Sequence, residues 1–152
     1  MMLTKFLTKA IKRHFDETNL LIEQITDELL EKKAAEETRD TIELILHMIR
    51  SIEYYSRGLT KGIWESLPYT REKYSTSKEI IKLYLEVTNR VMKYLEEITD
   101  EDLDKKITEF NRPATMGEIL LEMLEHSIHH RGQLTVYYRM NNIKPAKIDY
   151  FI

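Results

Sequence analysis

The chain has 152 residues, 42% of them hydrophobic, with 23 Lys+Arg against 26 Asp+Glu for a formal net charge of -3. That length suits one domain around one core, and the hydrophobic share excludes a disordered chain. The charge balance excludes the cationic field of a tight nucleic-acid binder, and the lack of any cysteine excludes a disulfide scaffold, a protein thiol nucleophile and Cys-ligated zinc.

No apolar run reaches the roughly 18 residues that span a bilayer. The basic N-terminus (Lys5, Lys9, Lys12, Arg13) lacks the apolar segment of a secretory signal. We therefore expect a cytoplasmic protein with no membrane and no nucleic-acid partner. The apolar residues Leu3, Phe6, Leu7, Ala10 and Ile11 recur at helical spacing and predict a first helix from Leu3 to about Gln24. A charged stretch, Glu31 to Asp40, separates it from a second helix over about Thr41 to Leu59. Residues 62–77, with Gly62, Pro68 and Trp64, read as an irregular crossover.

Thr76 and Glu79 have the spacing of a capping box and open a third helix that runs to about Ile98. Thr115 and Glu118 repeat that spacing just after Pro113 and open a fourth, ending near Met140, where Asn141 and Asn142 can supply a left-handed cap. Residues 143–152, with Pro145, read as a short tail packed on the helices. Few glycines and prolines interrupt the pattern. The expected fold is all-α, a four-helix bundle in a single domain over residues 1–152.

An internal repeat runs beneath this pattern. Ile25-Thr-Asp-Glu-Leu-Leu-Glu-Lys-Lys33 recurs as Ile98-Thr-Asp-Glu-Asp-Leu-Asp-Lys-Lys106, with seven of nine positions identical. The segments that follow, Thr41 to Ile49 and Met116 to Leu124, are also alike. Charged helix ends can coincide by chance; a true repeat relates helices two and four by a pseudo-twofold axis and lets them share a site.

The histidines are the candidate chemistry. His126 and His130 lie four apart, about 40° around a helix axis, so their rings project side by side. Such a pair is a bidentate start for a borderline divalent metal. It shares a largely apolar stripe with Ile119, Met123, Leu134 and Tyr137, where an unpaired polar ring is costly. His129 falls to one side, beside Glu122 and Glu125, as a boundary residue or substitute ligand. His47 in helix two reads either as a hydrogen-bonded core residue or as a third ligand facing the pair. Three neutral imidazoles leave a fourth position open, unless His129 or Glu43 closes it. His14 reads as a surface residue on the basic first helix.

Nearby positions extend the signal. Gln133 returns to within about 20° of His126 and can bond a ring nitrogen. Tyr54 is a weaker candidate for the same task. Gly132 costs a helix roughly 1 kcal/mol relative to alanine, for which close approach of another helix is the expected reason. Arg131 reads as a structural ion pair. Tyr54, Trp64, Met123 and Tyr137 are the expected pocket wall.

His126-Ser-Ile-His-His-Arg-Gly-Gln-Leu134 resembles the second-half signature of the DinB-like (DinB/YfiT) superfamily, and His47-Met-Ile-Arg-Ser-Ile-Glu-Tyr-Tyr55 resembles its first-half histidine motif. The segment from Pro145 to Tyr150 is similar to how such chains close. The resemblance covers the whole chain. It implies up-down-down-up connectivity and a divalent metal, zinc or nickel before iron or manganese, held by His47, His126 and His130. His129 matches the motif's non-ligand histidine, and pairing as a homodimer is implied as well.

For activity, the resemblance implies relatives that are thiol S-transferases or thiol-dependent isomerases. The leading expectation is a metal-dependent enzyme that activates a low-molecular-weight thiol or a water in its open position toward a small-molecule substrate, as a thiol S-transferase or a hydrolase. No motif here selects a particular thiol, and no catalytic residue is assigned. Two readings compete with the enzyme. One is a non-catalytic metal- or ligand-binding module, a stress-related dimer; the other is a helical dimer whose histidines are core hydrogen-bonders.

Overall fold

The computed structural model describes residues 3–149; Met1, Met2 and the closing residues 150–152 of the expected domain and tail lie outside them. The elements are α1 (Leu3–Ile22), α2 (Asp27–Leu30), α3 (Thr41–Lys61), α4 (Ser77–Glu96), a 3₁₀ turn (Asp100–Asp102), β1 (Lys106–Ile107), β2 (Ala114–Thr115) and α5 (Met116–Met140). The fold is all-α. The one-turn α2 and the two-residue strand pair are additions to the sequence expectation, too short to carry a period.

Helices α3, α4 and α5 begin where a neighbouring side chain satisfies free N–H groups of the first turn, while Asp100 accepts those of Leu3 and Thr4 in α1. The Asp40 carboxylate caps α3 by accepting from the Glu43 N–H at 3.1 Å. Both expected capping boxes are present, Thr76 with Glu79 on α4 and Thr115 with Glu118 on α5. Gly62 closes α3 in the left-handed region at φ 67, where a side chain would be strained. Asn142 takes φ 60 after α5, and Ile143 N–H returns to Tyr138 O at 2.8 Å, so the left-handed cap falls on the second asparagine.

Cross-helix bonds set the directions. Arg90 meets Glu53 and Lys61 meets Glu97, so α3 and α4 run parallel. Arg131 meets Glu17 and Tyr138 meets Leu21, so α1 and α5 run parallel. Tyr84 donates to Phe15 O while Asp100 accepts from Leu3 N–H, so α1 opposes α4. Between them the four helices bury Ile11, Leu21 and Ile22, Ile42, Ile45, Leu46 and Ile49, Ile80 and Val87, and Met123, Leu134 and Tyr138. Each such side chain contributes about 1.5–3 kcal/mol relative to exposure. Among the described residues no helix is long and apolar enough to cross a membrane.

The repeat has a structural counterpart. Thr26 precedes α2 and Thr99 precedes the 3₁₀ turn; Leu30 and Leu103 then both enter the core. Each segment next forms an antiparallel bridge to the cap of the following helix, Lys33 with Asp40 and Lys106 with Thr115. The backbone bond Thr41 N–H to Lys32 O (2.8 Å) is matched by Met116 N–H to Lys105 O (2.9 Å). The two halves thus deliver α3 and α5 by the same device. Those helices pack against one another.

The crossover, residues 62–76, is irregular but tied down. Arg50 donates to Tyr69 O at 2.6 Å, Arg57 to Glu65 O at 2.6 Å, and Arg71 to Asp40 at 2.6 Å and to Glu31. Trp64 lies against Gly58 so closely that a Cβ there would overlap the indole. The Gln24 side chain holds the tail, donating to Lys144 O and accepting from Ala146 N–H.

Two sequence expectations fail here. His14 is buried, 4% exposed, between α1 and α5 beside the Glu17–Arg131 ion pair. Helix α1 is gripped by α4 on one flank and α5 on the other, so its buried face is wider than one apolar stripe. Gly132 is exposed, and among the described residues a Cβ there would meet nothing within 4 Å and no helix approaches it.

Candidate metal centre

Helix α3 contributes His47, and α5 contributes His126 and His130 from adjacent turns. Their Nε2 atoms converge: His47 to His126 is 3.2 Å and His130 to His126 is 3.1 Å. One ligand atom from each of the three lies within 4.8 Å of the others. Two imidazole nitrogens at 2.0–2.1 Å from a tetrahedral zinc lie about 3.3 Å apart. The donor set and its spacing therefore fit one divalent ion.

The rings are also in the right protonation state. Burial is the first cause that drives His47 and His126 down to about 4; neighbouring rings and Arg39 reinforce it, while Glu122 opposes it at His126. His130 is lowered too, again by burial first. At neutral pH all three are uncharged, as metal ligands must be. Gln133 Oε1, an acceptor, sits 2.6 Å from His130 Nδ1. The proton is therefore on Nδ1, and the Nε2 lone pair is left facing the other two rings.

The other sequence candidates fall outside the cluster. His129 is exposed, its ring centroid 5.1 Å from that of His130. Glu43 pairs with Arg50 at 3.3 Å. Tyr54 stacks edge-on against Tyr55 and Trp64 and makes no hydrogen bond to a histidine among the described residues. No fourth His, Cys, Asp or Glu joins the group among the described residues.

Beside the histidines opens a cleft of about 240 Å³, walled by Tyr54, Tyr55, Ser66 and Leu67, with Arg50 at its side. The expected wall is only partly right. Trp64 stands behind Tyr54 as its support, Met123 is sealed in the core at 1% exposure, and the Tyr137 hydroxyl is bonded to Arg39 O. Sequence reasoning missed Arg50, Tyr55, Leu67 and Phe110, whose ring packs on Tyr55 and Trp64. Arg50 and Tyr54 lie three and seven residues beyond His47, so helical spacing carried a signal for them; nothing local marks the loop residues.

Comparison with known proteins shows the family and the fold. The DinB family model matches residues 2–151. A Bacillus subtilis (strain 168) protein, YjoA, is 30% identical over 129 residues, which is 83% of this chain and 82% of that one. The crystal structure of that DinB-like protein covers 95% of this chain and 96% of its own, with 26% identity and a TM-score of 0.77. A DinB-like protein from Bacillus cereus ATCC 10987 shares the fold, with 23% identity, a TM-score of 0.79 and coverage of 94% and 95%. With its whole bundle and both histidine helices inside these matches, the chain belongs to the DinB family.

Proposed function

We propose that the protein is a metal-dependent enzyme whose divalent ion is held by His47, His126 and His130, with one position open for a small-molecule thiol or a water. The supporting observation is the convergence of three neutral Nε2 atoms at the edge of a cleft. A divalent ion there supplies Lewis acidity, lowering the pKa of the thiol or water it binds so that a nucleophile forms at neutral pH. The reaction class is thiol S-transfer or hydrolysis. Zinc and nickel suit three imidazoles best, with iron and manganese also compatible.

The chain's own residues do the rest. Gln133 fixes the tautomer of His130. Ser51 donates to His47 O at 2.8 Å and so spends its proton on the helix, leaving its oxygen as an acceptor toward the cleft. The aromatic wall, Tyr54 and Tyr55 backed by Trp64 and Phe110, keeps water from one side of the trio and offers apolar faces to a substrate.

Metal content of tag-free protein, measured by mass spectrometry, tests this reading. We expect near one metal per chain in the wild type and loss in each of His47→Ala, His126→Ala and His130→Ala. A wild type that takes up neither Zn²⁺ nor Ni²⁺ overturns it. One that holds metal but turns over no thiol-transfer or hydrolysis substrate points to a non-catalytic binding module.

A further inference from the structure

We infer that the ligand of this cleft carries a carboxylate, and that Arg50 is the residue that receives it. The inference builds on the reading of the trio as a metal site, which would hold the ligand's other end.

Among the described residues Arg50 is the sole charged one lining the cleft, and no carboxylate lines it. It sits three residues beyond His47 on α3, so guanidinium and trio flank one short cavity. Two of its bonds are accounted for, Nη1 to Tyr69 O at 2.6 Å and Nη2 to Glu43 at 3.3 Å. A guanidinium has five N–H donors, which leaves three for a guest. The first bond anchors the group from behind. The second is a long, single contact to a carboxylate that is 38% exposed, one that a better-placed anion can displace.

The wider field favours the same charge. Arg39, whose backbone O accepts from the Tyr137 hydroxyl of α5 at 2.6 Å, adds a second cation beside the seam of α3 and α5. Glu122, one turn before His126 on α5, is paired with Arg112 at 3.0 Å. Ser66, exposed at the rim, adds a hydroxyl. Planar carboxylates match a guanidinium fork better than any neutral group does. Because His47 and Arg50 line one cleft of about 240 Å³, the guest is a small molecule that carries its metal-binding end and its acid together.

The test is calorimetric titration with two probes matched in size, 3-mercaptopropionate and 3-mercapto-1-propanol, into zinc-loaded and EDTA-stripped protein. We expect the wild type to bind the acid about tenfold more tightly than the alcohol, the scale of one charge-assisted hydrogen bond. Arg50→Gln should erase that preference while the alcohol binds as before. Glu43→Gln, a change at a half-buried position that removes the charge paired with Arg50, should widen it. Equal affinity in the wild type, a preference that survives Arg50→Gln, or no binding of either probe overturns the inference. If stripped and zinc-loaded protein bind alike with the preference intact, the metal reading fails and Arg50 keeps its role.

Discussion

Gln133 offers the sharpest handle on the trio because it is exposed and bonds one of its rings. Its Oε1 holds His130 Nδ1–H at 2.6 Å and thereby presents Nε2 toward the other rings. Gln133→Leu removes the acceptor and leaves the helix intact, since the residue is exposed. Loss of such an orienting partner typically weakens metal affinity 10–100-fold. Water can reach the vacated position, so the effect belongs at the low end, about tenfold or roughly 1.4 kcal/mol. Gln133→Glu keeps an acceptor and should bind at least as tightly as wild type. Competition against a chromophoric zinc chelator at pH 7.5 measures both, with circular dichroism as the fold control. A Leu variant with wild-type affinity would refute the argument that this bond prepares the ring.

Three further outcomes are expected. Gly58→Ala should destabilise by about 1–3 kcal/mol because its Cβ overlaps Trp64, and the fluorescence of this sole tryptophan should shift; Gly132→Ala, with open space, should instead stabilise by about 1 kcal/mol. Glu53→Gln, which strips the charge from a buried carboxylate bonded to Tyr69 and to the half-exposed Arg90, should cost about 1–2 kcal/mol in urea unfolding. His14 is held down to about 3 from the usual 6.5, by burial first and then Arg131, so the native state binds fewer protons across that window. Its contribution is complete above pH 6.5 and falls as pH drops toward 3, by at most about 1.4 kcal/mol per pH unit. Metal-free His14→Leu should therefore lose stability with acid less steeply than wild type between pH 6.5 and 4, and an identical slope would rule out this role for His14.

The boundaries of the long helices were legible because their signals are local. Thr76 with Glu79 and Thr115 with Glu118 cap within four residues, and the apolar period persists for five turns or more. Gln133 was legible for the same reason, one turn from His130 on a single helix. His14 was misread because its surroundings come from α5, more than a hundred residues away, and Lys5, Lys9 and Lys12 on the same helix are exposed as a surface helix requires. The reason inferred for Gly132 failed on similar grounds. A mid-helix glycine announces a cost but not what faces it.

The sequence alone determined the helices, their caps, the repeated connector and the side-by-side pairing of His126 with His130, since each depends on residues within a turn or two of one another. Tertiary structure decided what those pieces meet. The approach of His47 to the pair, the burial that keeps all three rings neutral, and the placing of Arg50, Tyr54 and the 62–76 crossover around one cleft arise only when α3 and α5 pack. Desolvation and cross-helix distance are properties of the assembled core, to which every helix contributes, and no local stretch of chain encodes them.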